Sequence, residues 1–125
     1  MNRMIAWVLA AGMIACLVPG ASAKRLAPRG AAPVTIDGIE YRAPVERMGC
    51  VEAWDAKSDK MLWWRQIYVV VIEPNLEKDV QDVFIRGLKA ADSALTITNE
   101  RGGEFKLDLK TLEVQAVKGS AVIRR

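Results

Sequence analysis

The stretch from Cys50 to Ile72 constrains the fold of this chain most strongly, because it consists of two strand-like segments joined by a short polar turn. Asp55 and Ser58 carry side chains that hydrogen-bond to nearby backbone groups, and Asp59 belongs to the few residue types that tolerate a left-handed conformation. The segment that follows, Met61 to Ile72, has ten apolar residues in twelve, and five of them are Val or Ile. This composition predicts a β-strand.

Neither face of the predicted strand is polar throughout, so it is either a central strand covered on both sides or a strand that bends and changes partners midway. Trp63 and Trp64 point to opposite sides of a regular strand. One interpretation buries one of them and exposes the other beside Arg65 as a binding hot spot; the alternative is that the fold buries both. Trp64, Arg65 and Tyr68 are therefore the candidate interaction surface.

Residues 1–23 have the features of a signal peptide. Arg3 supplies the positive start, and Met4 to Val18 is an apolar run of about 15 residues, shorter than the roughly 20 of a membrane span. Ala21-Ser22-Ala23 is a cleavage pattern, with the cut between Ala23 and Lys24. The chain is predicted to be exported to the periplasm or the extracellular space, with no membrane span after the leader is removed.

Two alternatives to a cleaved leader remain open. Met13-Ile14-Ala15-Cys16 loosely resembles a lipoprotein box, in which Cys16 would be lipidated and become the first residue. The other alternative is an uncleaved membrane anchor. In each case the rest of the chain is the same: a flexible linker at 24–33 and a single β domain at 34–125, the size of one ordinary domain.

Composition excludes several classes of function. The formal charge of +3 falls to +2 when Arg3 leaves with the leader, which is too balanced to predict a nucleic-acid partner. The chain has no His, the usual general base and commonest metal ligand, and it carries neither a nucleophile motif nor a phosphate-binding glycine loop. Cys50 is either a small buried hydrophobe or a thiol that pairs between chains. We expect no enzyme, catalytic residue, metal or cofactor.

The remaining pattern predicts a mainly β fold, an antiparallel meander of about seven strands with one short helix. Asp37-Gly38 is typical of a two-residue hairpin turn. Asn75 is a plausible N-cap, which favours a helix from Leu76 to Asp82. The later strands are predicted at Val83 to Lys89, Ala94 to Asn99, Glu104 to Leu109 and Leu112 to Val117, followed by a tail or frayed edge strand at Gly119 to Arg125.

An internal repeat becomes visible when Asp55 is placed over Asp108, 53 positions later (108 − 55). Each Asp ends a strand and is followed by two residues ending in Lys, then Ser58 in the first copy or Thr111 in the second. Asp55, Ser58, Asp108 and Thr111 are therefore predicted to be structural turn residues. Such self-similarity indicates two related β units.

The first copy resembles the pyrroloquinoline-quinone-type β-propeller repeat, in which a strand ends in Ala-x-Asp and the next strand carries Leu-Trp. Ala53-Trp54-Asp55 and Leu62-Trp63 follow this pattern. The resemblance implies two propeller-blade-like hairpin units. A complete propeller needs about four blades or more, so the edges must be closed as a compact meander, a partial barrel or an oligomer. The chain also resembles small exported bacterial proteins of unassigned role.

These observations predict an exported, non-enzymatic protein-binding or assembly module. Its partner would be another envelope or extracellular protein, or a second copy paired through an open sheet edge. One alternative is an envelope lipoprotein scaffold anchored through Cys16. The other is a small-ligand or quinone-binding protein, which would need a concave pocket with converging polar groups.

Overall fold

A computed structural model describes residues 28–124 of the chain. The fold of this part is mainly β, as predicted, with ten strands rather than about seven. The predicted leader, its cleavage position at Ala23 and Lys24, and Cys16 lie outside the described residues. Within the segment predicted to be a linker, Ala31 already packs against the core.

The strands form two four-stranded antiparallel sheets and one short parallel pair. The first sheet, in the order β1-β2-β3-β4, contains β1 (Val34–Ile36), β2 (Ile39–Arg42), β3 (Cys50–Asp55) and β4 (Lys60–Gln66), with a single 3-10 turn at Val45–Arg47 between β2 and β3. The second sheet, in the order β6-β7-β8-β9, contains β6 (Ile85–Ala91), β7 (Ala94–Asn99), β8 (Glu104–Asp108) and β9 (Val114–Lys118). Between the sheets in sequence lies β5 (Val69–Val70), which pairs in parallel with β10 (Val122–Ile123).

One hydrophobic core joins the two sheets. The first sheet contributes Tyr41, Val51 and Ala53, and the second contributes Leu95, Ile97, Phe105 and Leu107. Tyr68, from the segment between β4 and β5, stacks on Phe105 with the ring centroids 5.3 Å apart. Burial of this much aliphatic and aromatic surface is the main favourable term for a domain of this size.

The two repeat units have the same turn geometry. Asp55 Oδ1 accepts hydrogen bonds from the backbone N–H groups of Lys57 (2.8 Å) and Ser58 (3.3 Å). Asp108 Oδ1 accepts the equivalent bonds from residues 110 (2.8 Å) and 111 (3.0 Å). Each turn ends on a residue with positive φ, 55° at Asp59 and 64° at Leu112. Asp55 and Asp108 thus occupy the turn positions expected from the repeat.

The equivalence extends from the turns into the strand register. Ile39 faces Asp55 across the first sheet, and Ala94 faces Asp108 across the second. The residue after each Asp donates its N–H to the preceding hairpin, from Ala56 to the Gly38 carbonyl at 2.9 Å and from residue 109 to the residue 93 carbonyl at 3.0 Å. The first hairpin turn has positive φ at both central residues, 49° and 79°, as the Asp-Gly pair predicted.

The apolar segment from Met61 to Ile72 is the strand that bends and changes partners, not a central strand. Its first part is β4, the edge of the first sheet. At Ile67 and Tyr68 the chain leaves the ladder, because both N–H groups donate to the Gly49 carbonyl, at 2.7 and 3.3 Å. After this break the chain pairs with β10 instead of β3.

The predicted helix from Leu76 to Asp82 is wrong, since this segment forms turns. The Gln81 side chain organises it. Gln81 Oε1 accepts the Glu73 N–H at 2.7 Å, while its Nε2 donates to the carbonyls of Glu73 (3.2 Å) and Glu77 (3.0 Å). Gln81 is only 2% exposed, so a buried side chain supplies the bonds that a helical backbone would otherwise make.

The paired turns predict an acid-sensitive component of stability. Backbone hydrogen bonds hold the pKa of Asp55 and of Asp108 below the ordinary value of 3.8. A depressed pKa in the folded state contributes stability that is complete above the unfolded pKa and is lost as the pH falls through the folded pKa. The double variant Asp55→Asn, Asp108→Asn keeps the acceptor oxygens but cannot titrate. Its urea midpoint should therefore fall less steeply than that of the native chain below about pH 5.

Glu113→Gln is the control for this experiment, because it removes an exposed carboxylate that accepts no hydrogen bond from the described residues. It should leave the pH dependence of the urea midpoint as in the native chain. If the double Asn variant and the native chain gave superimposable pH curves, the two turns would not be acid-sensitive elements.

Candidate functional site: the tryptophan face

The first sheet has one face in the core and one toward solvent, and the outer face carries aromatic and charged side chains together. We call Arg42, Arg47, Glu52, Trp54 and Trp64 the tryptophan face. They come from β2, β3, β4 and the 3-10 turn. Residues of a strand alternate between faces, so Val51 and Ala53 enter the core while Glu52 and Trp54 project outward.

Trp64 is an exposed aromatic side chain held in a defined place. The guanidinium carbon of Arg47 lies 4.6 Å from the centroid of the Trp64 ring. Arg47 is in turn fixed by Glu52, with Nε 2.9 Å from Oε2. Cation–π contact and a charge-assisted hydrogen bond therefore hold the ring, although 46% of Trp64 remains exposed.

Trp54 repeats this arrangement one step along the sheet. Its indole N–H donates to Glu52 Oε1 at 3.0 Å. The Glu52 carboxylate therefore binds Trp54 through one oxygen and Arg47 through the other. The guanidinium of Arg42 lies 4.3 Å from the Trp54 ring centroid and also binds Asp59 at 2.8 Å. Glu52 is only 8% exposed, and its full pairing explains how a carboxylate is accommodated there.

The edge beside the tryptophan face is apolar and open. In the described part of the chain, β4 pairs only with β3, so its outer backbone groups face away from the sheet. Met61 is 41% exposed and Leu62 is 51% exposed. A register shift opposite Ala53 and Trp54 leaves Leu62 outside the ladder. An exposed apolar edge strand is a template for pairing with another chain.

The structure separates the three residues predicted to form the interaction surface. Trp64 lies on the outer face, and Trp63 packs against the core, so the two Trp residues divide between surface and interior. Arg65 is exposed, but its Nε donates to the Leu112 carbonyl at 3.0 Å and so links β4 to the turn between β8 and β9.

Tyr68 does not belong to the interaction surface, which corrects that prediction. It is 1% exposed, and its hydroxyl donates to the Val83 carbonyl at 2.5 Å. Burial, with a smaller contribution from the charge of Glu100, raises the pKa of Tyr68 far above its usual range. The break after Gln66 is the physical reason, because Ile67 and Tyr68 leave the ladder there and both become buried.

Four residues of the tryptophan face were not predicted from the sequence: Arg42, Arg47, Glu52 and Trp54. Two of them could have been inferred. Glu52 and Trp54 are two residues apart in one strand of the hairpin, so they lie on the same face, and Glu52 faces Trp64 on the other strand. Arg47 could not be placed in this way, because it reaches the face from the irregular segment before β3.

Cys50 is buried at 3% exposure, as one of the two interpretations predicted. Burial is the main reason that the pKa of its thiol is raised, so the nucleophilic thiolate is disfavoured. Among residues 28–124, no three acidic, Cys or His side chains are grouped closely enough to hold a metal ion. The same residues include no helix with the length and apolar character needed to cross a membrane.

Comparison with known proteins does not place the chain in a family. No protein-family model matches it, and no curated protein matches it significantly.

Proposed function

We propose that this chain is an exported, non-enzymatic assembly module that binds a protein strand along β4, with the tryptophan face as its anchor. The leader pattern of residues 1–23 supports export. The single observation that carries the binding function is the edge strand β4, on which the apolar residues Met61, Leu62 and Trp64 are each at least 41% exposed. Addition of a strand to such an edge gives affinity through main-chain hydrogen bonds and specificity through side chains.

The partner we propose is a second copy of this chain. An antiparallel β4–β4 pair centred on Trp63 would bring Leu62 of one copy against Trp64 of the other, at the position where the register shift leaves Leu62 outside the ladder. Aromatic and aliphatic neighbours across such a pair stabilise it.

The geometry of Trp64 also favours binding. A ring already held by Arg47 loses little conformational entropy when it becomes buried against a partner. Rigid aromatic side chains next to Arg are typical of residues that dominate binding energy. The equivalent edge of the second sheet, β9, has the sequence Val-Gln-Ala-Val-Lys and lacks an aromatic anchor.

Leu62→Lys should weaken this association. The substitution puts a charge at the centre of the proposed pair, and two lysines would then approach each other near Trp64. Because the site is 51% exposed, the isolated fold should tolerate it. Sedimentation velocity across a range of protein concentrations should show a monomer–dimer equilibrium for the native chain, with the dimer weakened about tenfold or more in the variant.

Val117→Lys is the matched control, because Val117 is a similarly exposed apolar residue (55%) on the corresponding edge strand of the second sheet. It should dimerise like the native chain. A native chain that stays monomeric at all concentrations, or a dimer that Val117→Lys disrupts and Leu62→Lys does not, would overturn pairing through β4.

A further inference from the structure

A second site lies away from the tryptophan face, in a pocket of about 440 Å³ between the β7–β8 turn and the segment after β9. The polar and charged side chains that line it are those of Asn99, Arg101, Lys118 and Arg124, and the lining also includes Gly103 and Gly119. We call it the basic pocket. We propose that the basic pocket binds a phosphate group.

The charge of the lining supports an anion. Three of the lining side chains are cations, and no carboxylate lines the pocket. The two nearest acidic residues in sequence do not line the pocket. Glu100 turns its Oε1 toward the Phe84 N–H at 3.0 Å, and Glu104 faces Lys118 across the sheet without forming an ion pair.

Asn99 supplies a separate indication of a ligand. It is 2% exposed, and its Oδ1 accepts the N–H groups of Arg101 (3.0 Å) and Gly103 (2.8 Å). These two bonds fix the orientation of the amide, so the Nδ2 group is a donor of known position. It donates no hydrogen bond to any residue among 28–124. A buried donor without an acceptor is costly, and an anion in the pocket would satisfy it.

Glycine gives the anion access to this donor. A β-carbon at Gly103 would lie 2.9 Å from Asn99 Nδ2, and one at Gly119 would lie 3.3 Å from the Gly103 Cα atom. Larger residues at these positions would crowd the amide and separate the two turns. Close backbone approach of this kind is a recurrent use of glycine at ligand sites.

Phosphate fits the donor set better than a carboxylate does. It carries up to two negative charges and at least three acceptor oxygens, which match three cations and one amide. The same group occurs on soluble phosphorylated molecules and on the headgroups of anionic lipids. The glycines of the pocket are not arranged in the local motif of a phosphate-binding loop, which is why the sequence alone did not predict the site.

The test is isothermal titration of the full chain with inorganic phosphate at constant ionic strength. We expect saturable binding with a dissociation constant of about 1 mM or tighter. Asn99→Asp keeps the oxygen that holds the turn but replaces the free donor with a negative charge, so it should weaken binding about tenfold or more. Arg101→Gln should weaken it about threefold to tenfold, whereas Lys89→Gln, an exposed cation on β6 outside the pocket, should change it by less than about twofold.

The source of the phosphate is distinguished with vesicles. Co-sedimentation with phosphatidylglycerol vesicles, but not with phosphatidylcholine vesicles, that is lost in Asn99→Asp would identify a lipid headgroup. Binding of inorganic phosphate without vesicle binding would identify a soluble phosphorylated ligand. Circular dichroism checks that each variant is folded, and if Asn99→Asp is not, the exposed Lys118→Gln replaces it. Absence of saturable binding to either probe, or binding that the pocket variants do not change, would overturn the proposal.

Discussion

Phe105→Ala should lower the free energy of unfolding by about 3–5 kcal/mol, the usual loss for a fully buried Phe. Phe105 is 0% exposed and stacks on Tyr68, so its removal leaves a cavity where the two sheets meet and also eliminates an aromatic pair. Since domains of this size have total stabilities of about 5–15 kcal/mol, the change is a large fraction of the whole. Urea denaturation followed by Trp fluorescence measures it.

Phe105→Leu is the companion variant, because it keeps an apolar side chain in the same position. We expect it to lose only about 1–2 kcal/mol. A loss below about 1 kcal/mol in the Ala variant would mean that the core joining the two sheets is not packed around Phe105.

Gly49→Ala should lower the stability by about 3 kcal/mol or more, for two independent reasons. Gly49 has a φ of 76°, which a residue with a β-carbon adopts only with strain. In addition, that β-carbon would lie 2.5 Å from the Tyr68 carbonyl oxygen, which belongs to backbone and cannot rotate away. The substitution therefore acts at the point where the chain leaves β4, and it should be measured by the same denaturation experiment.

Gly38→Ala separates the two effects. Gly38 has an almost identical φ of 79°, but a β-carbon there would meet no atom within 4 Å. We expect this control to lose only the cost of the backbone conformation, about 1–2 kcal/mol. If both variants lost the same free energy of unfolding, the close approach of Gly49 to Tyr68 would contribute nothing to the loss.

Local chemistry made much of the fold predictable. The Asp37-Gly38 hairpin and the Asp55 and Asp108 turns follow from side chains and backbone conformations that neighbouring residues determine. The β7 strand has the predicted bounds, Ala94–Asn99, because its alternation of Thr with Leu and Ile matches a half-buried strand. The repeat could be found for the same reason, since turn residues recur at fixed offsets.

Features that depend on distant residues were not predictable in this way. The break at Ile67 and Tyr68 occurs because the Gly49 carbonyl captures both N–H groups, and an apolar run gives no sign of it. The turns at 74–82 depend on Gln81 being buried, which only tertiary packing decides. The candidate surface was half predicted: one of the two interpretations of the adjacent Trp residues exposed one ring, whereas the Arg residues that hold the rings depend on strand pairing and on an irregular turn.

The parallel pair of β5 and β10 sets an order in which a nascent polypeptide can assemble. Every pairing in the first sheet joins consecutive strands, so this sheet can form once Gln66 has been synthesised. The Val69 N–H instead donates to the Ala121 carbonyl at 2.8 Å. This bond can form only after the whole second sheet, which lies between the two residues in sequence, has been synthesised. Until then the core lacks Ile123, and the segment joining the two sheets has no ladder to hold it. The chain is thus arranged to complete its core late, after both repeats are available.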